Sequence, residues 1–430
     1  MRRDPRHGDT PPPAPGPPVV ARVPPMIDSA RASSRVGLAL AGGGPEGSIY
    51  EIGAIRALDE ALDGIDLNDL HVYVGVSAGA FIAACLANNL TTGQMCRAIV
   101  KHEPGEHPFV PETFLSPAVG EFVRGGMKVP GLLLDGMWDV LRRPRARRLT
   151  EPLARLARAL PVGVFENEPL RAYLAKIFSM PGRSDDFRRL RRHLVVVATD
   201  LDSGRPVRFG EPGLDHVPIS KAVQASTALP GLYPPVTIAG RDYVDGVLLK
   251  TVHASVALDA GADLVLCVNP IVPVDTIRSV ELGIMRRGRL VERGLPAVLA
   301  QTFRTIIHSR MGAGLAAYET RYSDRDVLVF EPRRDDYSMF FSNVFSFANR
   351  KAVCEHAYRS TRLKLWRNRR RLEPMLARHG ITLRTDLLED QDRDLWQSVG
   401  LHERRPPSTS HVKARLDKAL AQVEELLAGY

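Results

Sequence analysis

In the stretch Val72-Tyr73-Val74-Gly75-Val76-Ser77-Ala78-Gly79-Ala80 a strand turns into a helix around a serine. An apolar, β-branched run ends at Gly75, Ser77 follows two residues on, and small residues open a helical pattern that reaches about Asn88. This is a G-x-S-x-G turn, which holds the serine in a strained backbone and pushes its hydroxyl out at the tip of the sheet. Gly75 and Gly79 stand where a Cβ would collide across the tight turn.

Upstream, the short buried strand Val36-Gly37-Leu38-Ala39-Leu40 runs into Ala41-Gly42-Gly43-Gly44-Pro45-Glu46-Gly47-Ser48. A helical pattern follows, with Ile49, Ile52, Ile55 and Leu58 on one stripe. Consecutive glycines at a helix start present bare backbone N–H groups at the positive end of the helix dipole. Gly42, Gly43 and Gly44 therefore read as an oxyanion hole. Losing one such donor typically costs on the order of 3 kcal/mol of barrier. In a parallel sheet both turns emerge at the carboxyl edge of the strands and can converge on one substrate. Gly42, Gly44 and Gly47 also match the dinucleotide pattern G-x-G-x-x-G. Against that reading, no acidic residue closes the next strand, and Glu46 would face a pyrophosphate. A Walker loop fails because Ser48, not lysine, follows Gly47.

A nucleophilic serine also needs a base. Only one strand and one helix fit ahead of Ser77, which disfavours an α/β-hydrolase with its Asp and His partners. Downstream, Asp245 follows Tyr243-Val244 and precedes Gly246, a strand-to-turn position from which a carboxylate can aim at a neighbouring loop. A desolvated Asp can accept a hydroxyl proton, since burial raises its pKa. On the residues alone His253 and His308 stay open as bases too.

The rest of the chain reads as alternating strands and helices. Leu194 to Thr199 and Ala262 to Asn269 are buried strands, with a neighbouring strand at Arg205 to Phe209 and another at Val327 to Phe330. Ile219 to Ala228 and Val252 to Asp259 are helical, and 275–325 forms one or two long helices with Leu295, Val298, Leu299, Phe303, Ile306 and Ile307 at helical spacing. Near-continuous apolar strands alternating with helices indicate an α/β fold with a mostly parallel sheet covered on both faces. Residues 1–33 form a Pro/Arg-rich tail unable to build a core. Residues 34–340 form the main domain, with a helical insertion at about 90–190, and 341–430 a basic helical extension with aromatics at Phe340, Phe341, Phe345 and Phe347 near its start.

At 430 residues, 44% hydrophobic and 25% charged, the composition is that of a globular protein. No apolar run approaches the roughly 20 residues that span a bilayer, and no signal-peptide core follows Arg2 and Arg3. Four scattered cysteines (Cys85, Cys96, Cys267, Cys354) give no zinc or disulfide pattern and suit a reducing compartment. The net charge of +9 is clumped at Arg142-Arg143 with Arg145, Arg147 and Arg148, at Arg188-Arg189 with Arg191 and Arg192, and at Arg367 with Arg369, Arg370 and Arg371. Such runs suit anionic lipid headgroups. No helix-turn-helix, zinc-finger or RNA-binding aromatic signature accompanies them, which excludes nucleic acid as the expected partner.

Taken together, Gly42-Gly43-Gly44-Pro45-Glu46-Gly47, Gly75-Val76-Ser77-Ala78-Gly79 and Asp245-Gly246 resemble the motifs of bacterial patatin-like phospholipases, in order and approximate spacing. So does the block Ala225-Ser226-Thr227-Ala228-Leu229-Pro230-Gly231, with Tyr233-Pro234-Pro235 after it. The resemblance covers about 36–270 and implies a three-layer α/β/α patatin-like fold with a helical C-terminal extension. It implies a lipid acyl hydrolase using a Ser-Asp dyad without histidine, metal or cofactor. Ser77 would be the nucleophile, Asp245 the base, and Gly42, Gly43 and Gly44 the oxyanion hole, with Gly47, Gly75, Gly79 and Gly246 as motif glycines. The chain departs from the family at Glu46, where a basic residue is usual, and at Val247 after Asp245-Gly246. The expected activity is cleavage of fatty-acyl esters of phospholipids through an acyl-enzyme. The alternatives are a neutral-lipid esterase or thioesterase with the same dyad, or a catalytically silent lipid-binding scaffold. The expected location is cytoplasmic, peripheral at an anionic membrane.

Overall fold

The structure, a computed structural model, describes residues 34–101, 116–118, 162–281, 289–336 and 347–401. The proline-rich tail, most of the 90–190 insertion, the Arg142 to Arg148 run, Phe340, Phe341 and Phe345, and the chain beyond 401 lie outside the described residues.

An eight-stranded sheet organises the rest. Its strands are β1 (Val36–Leu40), β2 (Val72–Val76), β3 (His193–Asp200), β4 (Pro206–Phe209), β5 (Val236–Ile238), β6 (Arg241–Asp245), β7 (Leu264–Val268) and β8 (Asp326–Phe330). The order β8-β7-β1-β2-β3 is parallel throughout. β4 and β6 run antiparallel to β3, and β5 antiparallel to β6. The central strands are buried along their whole length, as their unbroken apolar sequences require.

Alternate residues serve opposite faces. Leu38, Leu40, Tyr73, Leu194 and Val196 join the larger core, while Ala39, Val72, Val74, Val195 and Val197 join the smaller one. The larger core is covered by α1 (Gly44–Ala61), α2 (Ala78–Ala87), α3 (Glu168–Phe178), α4 (Ile219–Ser226) and α7 (Phe347–Ala377). The smaller is covered by α5 (Ala254–Asp259) and by Met311 and Tyr318 of α6 (Leu295–Arg321). This is the three-layer α/β/α arrangement expected from the sequence, with a helical C-terminal extension. Within 275–325 the chain forms a short helix, Thr276–Glu281, and the long α6.

The feature that positions the site is the edge that β3 offers to β2. The first half of β3 pairs with β2 as far as Val76 opposite Val197. The next residue, Ala198, pairs with Asp245 of β6. Because β4 occupies the other edge of β3 over 196–199, β2 and β6 share one edge. They run toward each other, and their carboxyl ends abut. Gly246 closes the seam: a Cβ there would sit 2.5 Å from the Val197 carbonyl oxygen and 2.8 Å from Val76 Cγ2.

The C-terminal helix is seated on α1. Val353, Cys354, Ala357, Tyr358 and Leu365 join the same core as the sheet. Buried Glu60 of α1 accepts from Tyr358 and, at 2.7 Å, from Arg393 Nε. Gly53 lets the two helices touch, because a Cβ would run into the Cys354 carbonyl. Replacing Gly53 tests this contact. Alanine favours a helix interior over glycine by about 0.5–1 kcal/mol, but overpacking against backbone costs about 1–3 kcal/mol. Gly53→Ala is therefore expected to lower the urea midpoint. An equal or higher midpoint would show that α7 does not rest there.

Candidate active site

Ser77 sits between β2 and α2 with φ 55 and ψ −124, a left-handed backbone that a side chain normally avoids. Such strain costs on the order of 1–3 kcal/mol and needs external support. Three hydrogen bonds supply it. The Ser77 N–H donates to Ser226 Oγ at 2.8 Å, and Ser226 Oγ donates to the Val197 carbonyl at 2.6 Å. The Gly79 N–H donates to the Ala41 carbonyl at 2.9 Å, tying the serine turn to the glycine turn. Ser226 ends α4 inside the block quoted above, but no role could be read for it from sequence. A lone serine at a helix end carries no local signal of a bond to a turn formed so far upstream.

Asp245, 1% exposed, ends β6 beside the serine. Its backbone is fixed by Asp245 N–H to the Ala228 carbonyl at 3.0 Å and by Thr199 Oγ1 donating to the Asp245 carbonyl at 3.2 Å. Its Oδ1 accepts from the Val247 N–H at 2.9 Å. Burial pushes the carboxyl pKa up to about 7, against the lowering effect of hydrogen bonds from the Ser77 side chain and the Val247 N–H.

The glycine turn completes the group. A Cβ on Gly42 would lie 3.1 Å from Ser77 Cβ and 2.9 Å from Val247 Cγ2, so all three loops meet there. Gly44 takes φ +60 at the start of the long α1, with open space around it. The N–H groups of Gly42, Gly43, Gly44 and Ala78 donate to no backbone carbonyl among the described residues. They lie at two helix starts, an arrangement able to hold a developing negative oxygen. Gly47 packs on Pro270, and Gly75 against the first turn of α2.

Glu46 lies in the first turn of α1, and burial raises its pKa to about 7, against the lowering effect of Arg304. Arg304 of α6 reaches it at 3.8 Å. A cation thus stands next to the position where the motif lacks one, supplied by a distant element. Five residues on, fully buried Glu51 has its pKa driven well above the usual carboxylate range by burial.

Neither histidine bonds Ser77 among the described residues. His253 is buried, which lowers its pKa to about 4, and its ring lies against the Gly246 and Lys250 backbone. His308 pairs with Arg334 at 2.7 Å. A cavity of about 140 Å³ under α6 is lined by Leu249, Thr251, Cys267, Met311, Tyr318 and Val329 and does not include the Ser77 turn.

A family model described as patatin-like phospholipase matches residues 38–258, which include both glycine turns, Ser77 and Asp245. Among solved structures, the chain is similar to VipD from Legionella pneumophila at 19% identity, over 59% of this chain and 53% of that one, with a TM-score of 0.33. It is also similar to ExoU of the Pseudomonas aeruginosa type III secretion system, solved with SpcU, at 19% identity over 46% of this chain and 39% of that one, with a TM-score of 0.24. The chain spans about half the length of VipD and less of ExoU.

The raised pKa of Asp245 makes a stability prediction. A carboxyl whose folded pKa (about 7) exceeds its ordinary 3.8 favours folding while protonated. That contribution is full below 3.8 and is lost as pH rises through about 7. Asp245→Asn removes the titration, while Glu46 and Glu51 titrate alike in both proteins. The variant is expected to be more stable than wild type at pH 8, by about 2–4 kcal/mol, and to converge with it near pH 4. Urea midpoints that differ equally at both pH values would contradict this.

Proposed function

The chain belongs to the patatin-like phospholipase family, and we propose that it is a serine acyl hydrolase that cleaves fatty-acyl esters of lipids with a Ser77–Asp245 dyad. The single observation that carries this reading is the convergence of the Ser77 hydroxyl, the buried Asp245 carboxyl and the glycine turn at one point of the sheet edge.

The chemistry follows from those positions. Asp245, as carboxylate, takes the hydroxyl proton while Ser77 Oγ attacks the ester carbonyl carbon. The carbonyl π electrons move to oxygen, and the N–H groups of Gly42, Gly43 and Gly44 hold the resulting oxyanion. Collapse breaks the bond to the alcohol oxygen, which leaves with the proton from Asp245, and the acyl group stays on Ser77. A water molecule then attacks the acyl carbon and gives its proton to Asp245. The second collapse releases the fatty acid and returns the proton to Ser77 Oγ.

A pKa of about 7 suits Asp245 to both proton transfers near neutrality, where a base with an ordinary carboxylate pKa would be weaker. The substrates we propose are glycerophospholipids, met at a membrane surface; no helix among the described residues is long and apolar enough to cross one. Neutral-lipid esters and thioesters would be cleaved by the same steps, so headgroup selection rests on groups around the turn, Glu46 and Arg304 foremost.

Fatty-acid release from phosphatidylglycerol, lysophospholipid and triacylglycerol micelles tests the proposal. Ser77→Ala and Asp245→Asn are each expected to lower kcat by at least about 10³-fold. Wild-type kcat/KM should rise with pH and level above about 7, as the base loses its proton. Undiminished release by Ser77→Ala would overturn the dyad. Vesicle binding without any release from wild type would favour a silent lipid-binding role.

A further inference from the structure

Helix α6 is turned inside out over its first half. A surface helix ordinarily buries its apolar stripe and exposes its polar one. Here the side chains that anchor the helix to the protein are polar, with Ile307 half-buried beside them. Gln301 brackets the Val274 backbone, accepting from its N–H at 3.0 Å and donating to its carbonyl at 2.8 Å. Arg304 reaches Glu46, and His308 pairs with Arg334. Leu295, Leu299, Phe303 and Ile306 lie on the opposite side, exposed by 69%, 47%, 53% and 51%. Ile277 and Val291, earlier in the chain, are also exposed. Most of the large apolar side chains exposed among the described residues fall between 277 and 306. The row Leu295, Leu299, Phe303 and Ile306 along one helix face marks a docking surface rather than ordinary surface scatter.

The charges around the patch point to its occupant. Exposed Arg289 and Arg293 precede it in the chain and exposed Arg310, which also donates to the Leu248 carbonyl at 3.2 Å, follows it, with Glu292 the acidic residue of 289–310. Apolar side chains rimmed by cations match the acyl boundary and headgroup layer of an anionic bilayer. In the arginine run at 188–192, Arg188 meets Asp186 at 2.9 Å, and Arg192 meets Asp69 at 2.5 Å.

We propose that the outer face of α6, from Leu295 to Ile306, inserts into the surface of an anionic lipid bilayer and seats the enzyme on its substrate. Docking there rests on the lipid-ester reading for the identity of what is cleaved, and adds how the substrate is met. The inner face of the same helix touches Glu46, two residues past the glycine turn. The bilayer and the oxyanion donors thus lie on opposite sides of one helix, about 10–12 Å across. The end of the polar anchoring marks the end of the docking face: beyond His308 the helix reverts to ordinary polarity, with Met311 and Tyr318 packed on the sheet.

The test is flotation of the full chain with vesicles of phosphatidylcholine alone or mixed with phosphatidylglycerol, comparing wild type with the double variant Leu299→Ser/Phe303→Ser. Both side chains are exposed, so the fold should survive, and an unchanged urea midpoint and unchanged hydrolysis of a water-soluble short-chain ester check that it does. Wild type is expected to float with the mixed vesicles and less as salt rises, and the variant to bind at least about 10-fold more weakly, since two apolar side chains would no longer leave water on docking. Equal binding by wild type and variant would overturn the proposal, as would no binding by wild type. A wild-type dimer that the double substitution converts to monomer, without vesicle binding, would assign the face to self-association instead. Because binding is read without hydrolysis, loss of flotation and loss of the Ser77 chemistry are separate results.

Discussion

Two strands meeting end to end on one edge of a third are what the site depends on. β2 carries the chain toward Ser77 and β6 carries it toward Asp245, and both pair with the same edge of β3 at adjacent positions, Val197 and Ala198. In a wholly parallel sheet every strand end would deliver a turn to the same rim, and a strand could not bring its last residue down onto the tip of its neighbour. The antiparallel β6 breaks that rule at one place, and there a buried acid faces a buried alcohol. Gly246 and Val197 meet at the seam, where no extra carbon fits.

The arrangement is expensive locally and is held by its surroundings. Ser77 keeps a backbone conformation that its side chain disfavours, and Asp245 is desolvated to the point of a pKa near neutrality. At a pH where the carboxyl is ionised, both are penalties of folding rather than contributions to it. The bonds through Ser226, Ala41, Ala228 and Thr199 tie these two residues to strands and helices that are themselves fully packed. The same burial that destabilises the carboxylate gives it the proton affinity that the proposed base requires, so strain and the proposed chemistry have one cause.

Much of this was legible in the residues. The apolar run Val36–Leu40 before three glycines, and Val72–Val76 before Ser77, announce two strand-to-helix turns because period and punctuation are local properties of a sequence. Asp245 could be singled out by its place after a strand and before a glycine, though not separated from His253 and His308 without the family resemblance. The shared edge of β3 was hidden, since register between strands so far apart leaves no mark on either one. Ser226 was hidden for the same reason. In α6 the spacing of Leu295, Leu299, Phe303 and Ile306 announced a helix but not its orientation: periodicity shows that a face exists, and the polar anchors Gln301, Arg304 and His308 decide which way it turns.

The most direct measurement of the central claim is covalent labelling by a fluorophosphonate, located by peptide mass and timed across pH in wild type and in Asp245→Asn. The account predicts a single adduct on Ser77, formed faster as pH rises through about 7 in wild type and slowly at every pH in the variant. An adduct elsewhere, or equal rates and pH profiles in the two proteins, would contradict it.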